Sequence, residues 1–198
     1  MQEALSISRE LFGTKHLLVA RCLHNLGVIS IHFGHYDEAQ RFLEEALAIQ
    51  LEICGENQER VAISLTNLGR LHIKGSRYER ARHFMDRALN IRCHLGNQLR
   101  VGRSLYFLGS LSEAESKISA AADYYNRALQ TIRSYEFLPE NHLYVREAVA
   151  ALQRINETAK AQSTTTITTR NISMPRKRKA EDSVADMKLQ RSRQGIQC

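Results

Sequence analysis

The sequence predicts an all-α solenoid of stacked helical hairpins, and three observations carry that prediction. A short pattern recurs in register: Asn25-Leu26-Gly27, Asn67-Leu68-Gly69 and Phe107-Leu108-Gly109 are separated by 42 and then 40 residues. Nine residues after each glycine stands Tyr36, Tyr78 or Ile118, followed by Ala39, Ala81 or Ala121 and the pairs Ala46-Leu47, Ala88-Leu89 and Ala128-Leu129. The apolar residues around these marks keep a period near 3.6, and only two prolines, Pro139 and Pro175, interrupt 198 residues. A unit of this length cannot bury its own apolar face, so its copies must stack. Display of a surface, not catalysis, is the function class to expect.

Taken in order, Met1-Gln2-Glu3-Ala4-Leu5 aligns with the Ala46-Leu47 end of a second helix, giving a partial repeat over 1–16. Its first helix is missing, so the reading expects a fragment or short isoform of a longer array, with Leu5 left uncovered. The first full repeat, about 17–56, sets Val19, Leu23, Leu26 and Phe33 on one helix face. Gly34 stops that helix and His35 makes the turn. The second helix carries Tyr36, Ala39, Phe42-Leu43, Ala46-Leu47, Gln50 and Ile53, and Gly55 is placed to end it in a left-handed conformation. Repeats over about 57–97 and 98–138 return the same pattern, with Leu68 and Ala88 as contacts between helices. Gly27, Gly69 and Gly109 fall mid-helix, where each costs about 1 kcal/mol against alanine. That recurring cost implies close approach of a neighbour, for which Ala39, Ala46, Ala81 and Ala88 are the expected receivers. A last helix over about 142–156, with Val145, Val149 and Leu152 in register and Gln153 in the glycine's place, reads as a cap.

From residue 158 the periodicity is lost. Ser163-Thr164-Thr165-Thr166-Ile167-Thr168-Thr169 has too little apolar area to offset its chain entropy, so 158–198 is expected to be a disordered basic tail. That tail holds nine of the cations and three acids, a balance of +6 out of the chain's +7. The repeat region is nearly neutral, and only the tail carries a nucleic-acid signal. Arg176, Lys177, Arg178 and Lys179 form a possible nuclear-import signal.

Cys22, Cys54, Cys93 and Cys198 show no metal-ligand spacing, and neither a metal site nor a cofactor is expected. Cys22 reads as a small core residue. No phosphate-cradling glycine loop, nucleophile elbow or HExxH is present, so no catalytic residue is assigned. No run reaches the ~18 apolar residues of a membrane span. A reduced, cytoplasmic protein, also nuclear if the import signal works, is the expected setting.

The order Leu-Gly, aromatic, Ala and Ala-Leu resembles the tetratricopeptide repeat. Cys54-Gly55-Glu56-Asn57-Gln58-Glu59-Arg60-Val61-Ala62, with His24-Asn25-Leu26-Gly27 and Thr66-Asn67-Leu68-Gly69, is similar to the long repeats of kinesin light chains and nephrocystin-type proteins. The resemblance covers about residues 1–157. It implies a right-handed superhelix whose first helices line a concave groove for an extended peptide or partner helix. The matching positions are Arg21, His24, Asn25, Val28 and His32, then Thr66, Asn67, Arg70 and Lys74, then Arg103, Tyr106, Phe107 and Ser110. A carboxamide can both donate to and accept from a peptide backbone, and the cations would face carboxylates. The expected function is therefore a protein-interaction scaffold for a protein partner, its segment acidic and aromatic. The alternative is a nuclear or nucleic-acid-associated factor acting through the basic tail.

Overall fold

The computed structural model describes residues 2–134 and 142–172, with side chains through residue 158. The helices are α1 (Gln2–Phe12), α2 (Leu17–Phe33), α3 (Tyr36–Cys54), α4 (Glu59–Lys74), α5 (Tyr78–His94), α6 (Gln98–Ala114), α7 (Ile118–Arg133) and α8 (Leu143–Ile172). There is no strand among the described residues. The chain divides into one unit over Met1–Asn156 and a second over Glu157–Cys198.

In the first unit α2 pairs with α3, α4 with α5 and α6 with α7, and the hairpins stack through α3 on α4 and α5 on α6. The leading helices α2, α4 and α6 also touch in series. The hairpin turns share one geometry: the chain leaves each leading helix through a left-handed residue, Gly34 (φ 81°), Ser76 (φ 55°) or Ser116 (φ 61°). Amides then close back on the helix end, His35 on the Ser30 carbonyl at 2.9 Å, Arg77 on His72 at 2.8 Å and Lys117 on Ser112 at 2.8 Å. Gly55 also has a positive φ, 72°, but its ψ of −179° sends the chain out extended, not through the left-handed turn expected there.

The mid-helix glycines meet their neighbours at van der Waals limits. A Cβ on Gly27 would stand 2.7 Å from Leu43 Cγ and 3.3 Å from the Ala39 carbonyl; one on Gly69 would stand 2.8 Å from Met85 Cγ and 3.3 Å from the Ala81 carbonyl. At Gly109 the obstacle is the Tyr125 ring, at 2.7 Å. The glycines thus make room for the large residue four positions after the alanine, and the alanines contribute backbone. Gly102 performs the same task against Ile132 and was not picked out by the repeat.

The core falls into apolar clusters between successive helices, in which Leu23, Leu43, Leu65, Leu68, Leu71, Met85, Ala88, Leu108, Leu111 and Ile132 are buried. Leu5 is buried too, at 7% exposure, against Val19, Leu23 and Ile49, which corrects the expectation that it is uncovered. Ile7, Leu11 and Phe12 carry the exposed apolar surface of α1 instead. Phe33 (74% exposed) and Ile53 (45%) leave the predicted buried face, since both sit in the last turn of their helices where the neighbouring helix no longer covers them. Cys22 is half-buried, its Sγ 3.7 Å from Ser8 Oγ.

The opening of α8 closes the stack, with Val145, Ala148, Ala151 and Ile155 packed against Ala121, Tyr125, Leu129 and Ile132. Its backbone remains helical to Ile172. A helix already nucleated extends at the cost of one residue's ordering per hydrogen bond, even through a threonine-rich stretch. The basic run Arg176–Lys179 lies outside the described residues.

Candidate functional site

Because the leading helices lie side by side, their outward residues form one face, and two recesses open on it. The larger, about 410 Å³, is lined by Arg70, Ile73 and Lys74 of α4, Arg103, Tyr106, Phe107 and Ser110 of α6, and Leu143, Tyr144 and Glu147 of α8. It gathers Arg70, Lys74, Arg103, Tyr106 and Phe107 from the groove expected on sequence. The Arg70 guanidinium lies 5.5 Å from the Phe107 ring centroid and that of Arg103 5.7 Å from it, with Arg103 also 5.3 Å from Tyr144. Such stacking holds a cation in place through the ring quadrupole, at about 0.5–1 kcal/mol when exposed. No carboxylate pairs with Arg70 or Arg103 among the described residues; Arg70 has only Asn67 Oδ1, at 3.3 Å. Tyr106 packs against Tyr125 and Tyr144 at 5.6 and 6.0 Å. Burial, reinforced by the neighbouring Glu147 carboxylate, pushes its phenol up to about 12. It is therefore a neutral donor at any physiological pH.

The smaller recess, about 240 Å³, is lined by Leu17, Leu18, Arg21 and His24 of α2, Gln50 of α3, and Arg60 and Ile63 of α4. Here two more of the expected residues, Arg21 and His24, meet. Asn25 and His32 border neither recess.

Beneath this face runs a polar layer that recurs with the repeat. In the first copy Ser64 Oγ donates to Gln50 Oε1 at 2.9 Å and sits 3.1 Å from His24 Nδ1. With the serine proton committed to Gln50, Nδ1 must be the donor. Nε2 then accepts from the Asn67 amide at 3.2 Å, which fixes the neutral tautomer of His24. Burial lowers the His24 pKa, in keeping with that network. One repeat later the equivalent positions are Thr66, Arg92 and Ser104. Arg92, wholly buried, donates to Thr66 Oγ at 3.2 Å, Ser104 Oγ at 2.7 Å and Glu59 Oε1 at 3.2 Å. In the third copy Ile132 takes the place of Arg92, and the layer turns apolar.

These layers correct two expectations. Thr66 is buried and its hydroxyl donates to the Ala62 carbonyl at 2.8 Å, so it faces inward to Arg92 and not into the groove. Asn67, only 6% exposed, is held between His24 and Arg70, where a freely exposed carboxamide was expected. Both changes follow from adjacency of α2, α4 and α6, which buries the central leading helix on two sides. Sequence reasoning also missed Tyr144 and Glu147, because α8 reads as a cap. Gln50 was marked by its place on the apolar period of α3, and Arg92 only by its 42-residue spacing from Gln50.

Stacked hairpins whose leading helices expose a lined face define a repeat scaffold for protein–protein interaction. The chain belongs to the tetratricopeptide repeat family, whose model matches residues 1–52, 31–94 and 60–134. Among solved structures it is similar to BtubC (BKLC) from P. vanneervenii, with 24% identity, a TM-score of 0.67, and 90% of this chain and 78% of that one covered. It is also similar to a Podosopora anserina protein described as a kinesin light chain with nearly identical TPR-like repeats. There the identity is 15% and the TM-score 0.64, over 83% of this chain and 78% of that one. These structural neighbours are kinesin light chain-like tetratricopeptide proteins. No curated protein matches the chain in sequence.

Proposed function

We propose that the face formed by α2, α4 and α6 binds an extended segment of a partner protein carrying acidic and aromatic residues. The observation that carries this reading is the pair Arg70 and Arg103, both stacked on Phe107 and neither paired with a carboxylate among the described residues. An acidic side chain entering there gains charge-assisted hydrogen bonds from preorganised guanidinium groups. An aromatic side chain gains the apolar wall of Phe107, Tyr144 and Leu143. Membership of a family of interaction scaffolds supports the reading.

The test is fluorescence polarisation of the full chain against a peptide array with acidic and aromatic residues varied independently. Phe107→Ala and Arg103→Glu should each weaken the best binder by at least tenfold, with the thermal midpoint of Arg103→Glu near wild type. Retention of full affinity in both variants would place the binding surface elsewhere, on the trailing helices or the tail. The runner-up, nucleic-acid association through the tail, would show as salt-dependent binding lost on deleting residues 170–193.

A further inference from the structure

The smaller recess is chemically distinct from the larger one. Its polar lining offers donors without a compensating acid: no Asp or Glu borders it, whereas Glu147 borders the other. Arg21 and Arg60 come from the N-terminal halves of α2 and α4, border the same space, and have no ion-pair partner among the described residues. Gln50 is only 5% exposed, and Ser64 holds its Oε1 at 2.9 Å. The end of the amide left to turn toward the recess is therefore Nε2, which can only donate. Both nitrogens of His24 are already engaged, by Ser64 and Asn67, so the ring contributes an edge and no acceptor. Leu17, Leu18 and Ile63 supply the remaining walls, which are aliphatic.

We propose that this recess binds a phosphoryl group borne on an apolar body, the aryl phosphate of a phosphotyrosine in the partner segment. The inference rests on the reading of the leading-helix face as a protein-docking surface and names the ligand chemistry at its α2–α4 end. Charge balance selects phosphate over carboxylate. Two guanidinium cations match a phosphomonoester of about −1.5 to −2, while one carboxylate would leave a cation uncompensated. Each guanidinium can present two parallel N–H groups to phosphate oxygens, and the Gln50 amide adds a further donor. The aliphatic walls favour an aryl phosphate over a phosphoserine, whose short stem would leave Leu17, Leu18 and Ile63 facing water.

The experiment uses the full chain and fluorescein-labelled Gly-Gly-phosphoTyr-Gly-Gly, with Tyr, Glu and phosphoserine versions of the same peptide. Phenyl phosphate and inorganic phosphate serve as competitors. The phosphotyrosine peptide should bind at least tenfold tighter than the other three. Arg21→Gln and Arg60→Gln should each weaken it tenfold or more, well beyond any loss in Arg70→Gln/Arg103→Gln. Phenyl phosphate should compete at concentrations well below those of inorganic phosphate. Equal binding of the Tyr and phosphotyrosine peptides would overturn the proposal, as would equal competition by the two phosphates. Loss of binding in Arg70→Gln/Arg103→Gln with retention in Arg21→Gln would move the phosphate to the larger recess, overturning this inference while leaving the docking surface intact. Conversely, phosphotyrosine binding that needs Arg21 and Arg60, without any acidic-aromatic peptide needing Phe107, would sink the groove reading and leave this site standing. Gln50→Glu keeps the size and the acceptor for Ser64 but sets an anion against the phosphate, and should abolish binding.

Discussion

At the residue scale, the mid-helix glycines show how two opposed effects of about 1 kcal/mol are decided by the stiffness of what lies opposite. Replacing a helical glycine with alanine gains about 1 kcal/mol of propensity. The new Cβ then meets a neighbour whose displacement costs about 1–3 kcal/mol when the core is already filled. At Gly69 that neighbour is Met85, unbranched and able to swing away, so Gly69→Ala should be near neutral. At Gly102 it is Ile132, β-branched and wholly buried; the backbone carbonyls opposite are alike, Ala128 at 3.2 Å here and Ala81 at 3.3 Å at Gly69. Gly102→Ala should lose about 1–2 kcal/mol net, by the same overpacking range. Urea denaturation of the two variants checks this, and equal stability would mean that the contact with Ile132 relaxes freely. The repeated Leu-Gly marked Gly27, Gly69 and Gly109 in the sequence. Gly102 carried no such mark, because its need for space comes from Ile132, thirty residues away, and from where α7 lies.

At the scale of elements, the hairpin turn was legible only in its first copy. Gly34 announces a left-handed residue, but the same position is serine in the next two repeats, where φ is 55° at Ser76 and 61° at Ser116. The helix-end bonds of Arg77 and Lys117 impose the conformation on residues that resist it by roughly 1–2 kcal/mol. Ser76→Gly relieves that strain and gives back part of the gain as greater freedom of the unfolded chain. Its net effect should be a stabilisation of about 0.5–1 kcal/mol, read as a higher denaturation midpoint with an unchanged slope. A lower midpoint would show that the serine side chain contributes to the turn. The polar layer was likewise invisible element by element. Gln50 falls on the apolar period of α3, but Arg92 looks like a surface residue near the end of α5 until its neighbours close over it.

For the molecule as a whole, that closure makes stability depend on pH. Burial lowers the pKa of His24 and of His72, with Arg77 and Arg80 adding to the shift at His72 and Glu44 opposing it. The sign follows directly. Unfolded histidine takes up a proton near 6.5 while the folded ring resists it, so the unfolded state binds more protons as pH falls. Stability should be fully present above about pH 6.5 and decline below it as the folded pKa is approached. At His24 the extra proton would set an N–H against the Asn67 amide, loosening α2 from α4 at the recess lined by Arg21 and Arg60. The thermal midpoint at pH 7.5 should exceed that at pH 5, and His24→Gln should shrink the difference. An unchanged difference in that variant would assign the effect to His72 and other groups.

The sequence by itself determined the class of fold and the buried face at Leu68 and Ala88, and it set Arg70, Lys74, Arg103, Tyr106 and Phe107 on the leading helices. All of these follow from periodicity, a property of local order that a helix converts directly into a face. Only the tertiary structure decided which of those residues remain available. Thr66 and Asn67 turned inward, Leu5 was covered, and Tyr144 and Glu147 joined the larger recess. The physical reason is that exposure is fixed by the neighbouring helix. Two positions a repeat apart carry the same local signal, yet α4 lies between α2 and α6, and only that packing sets how far each of its residues is covered.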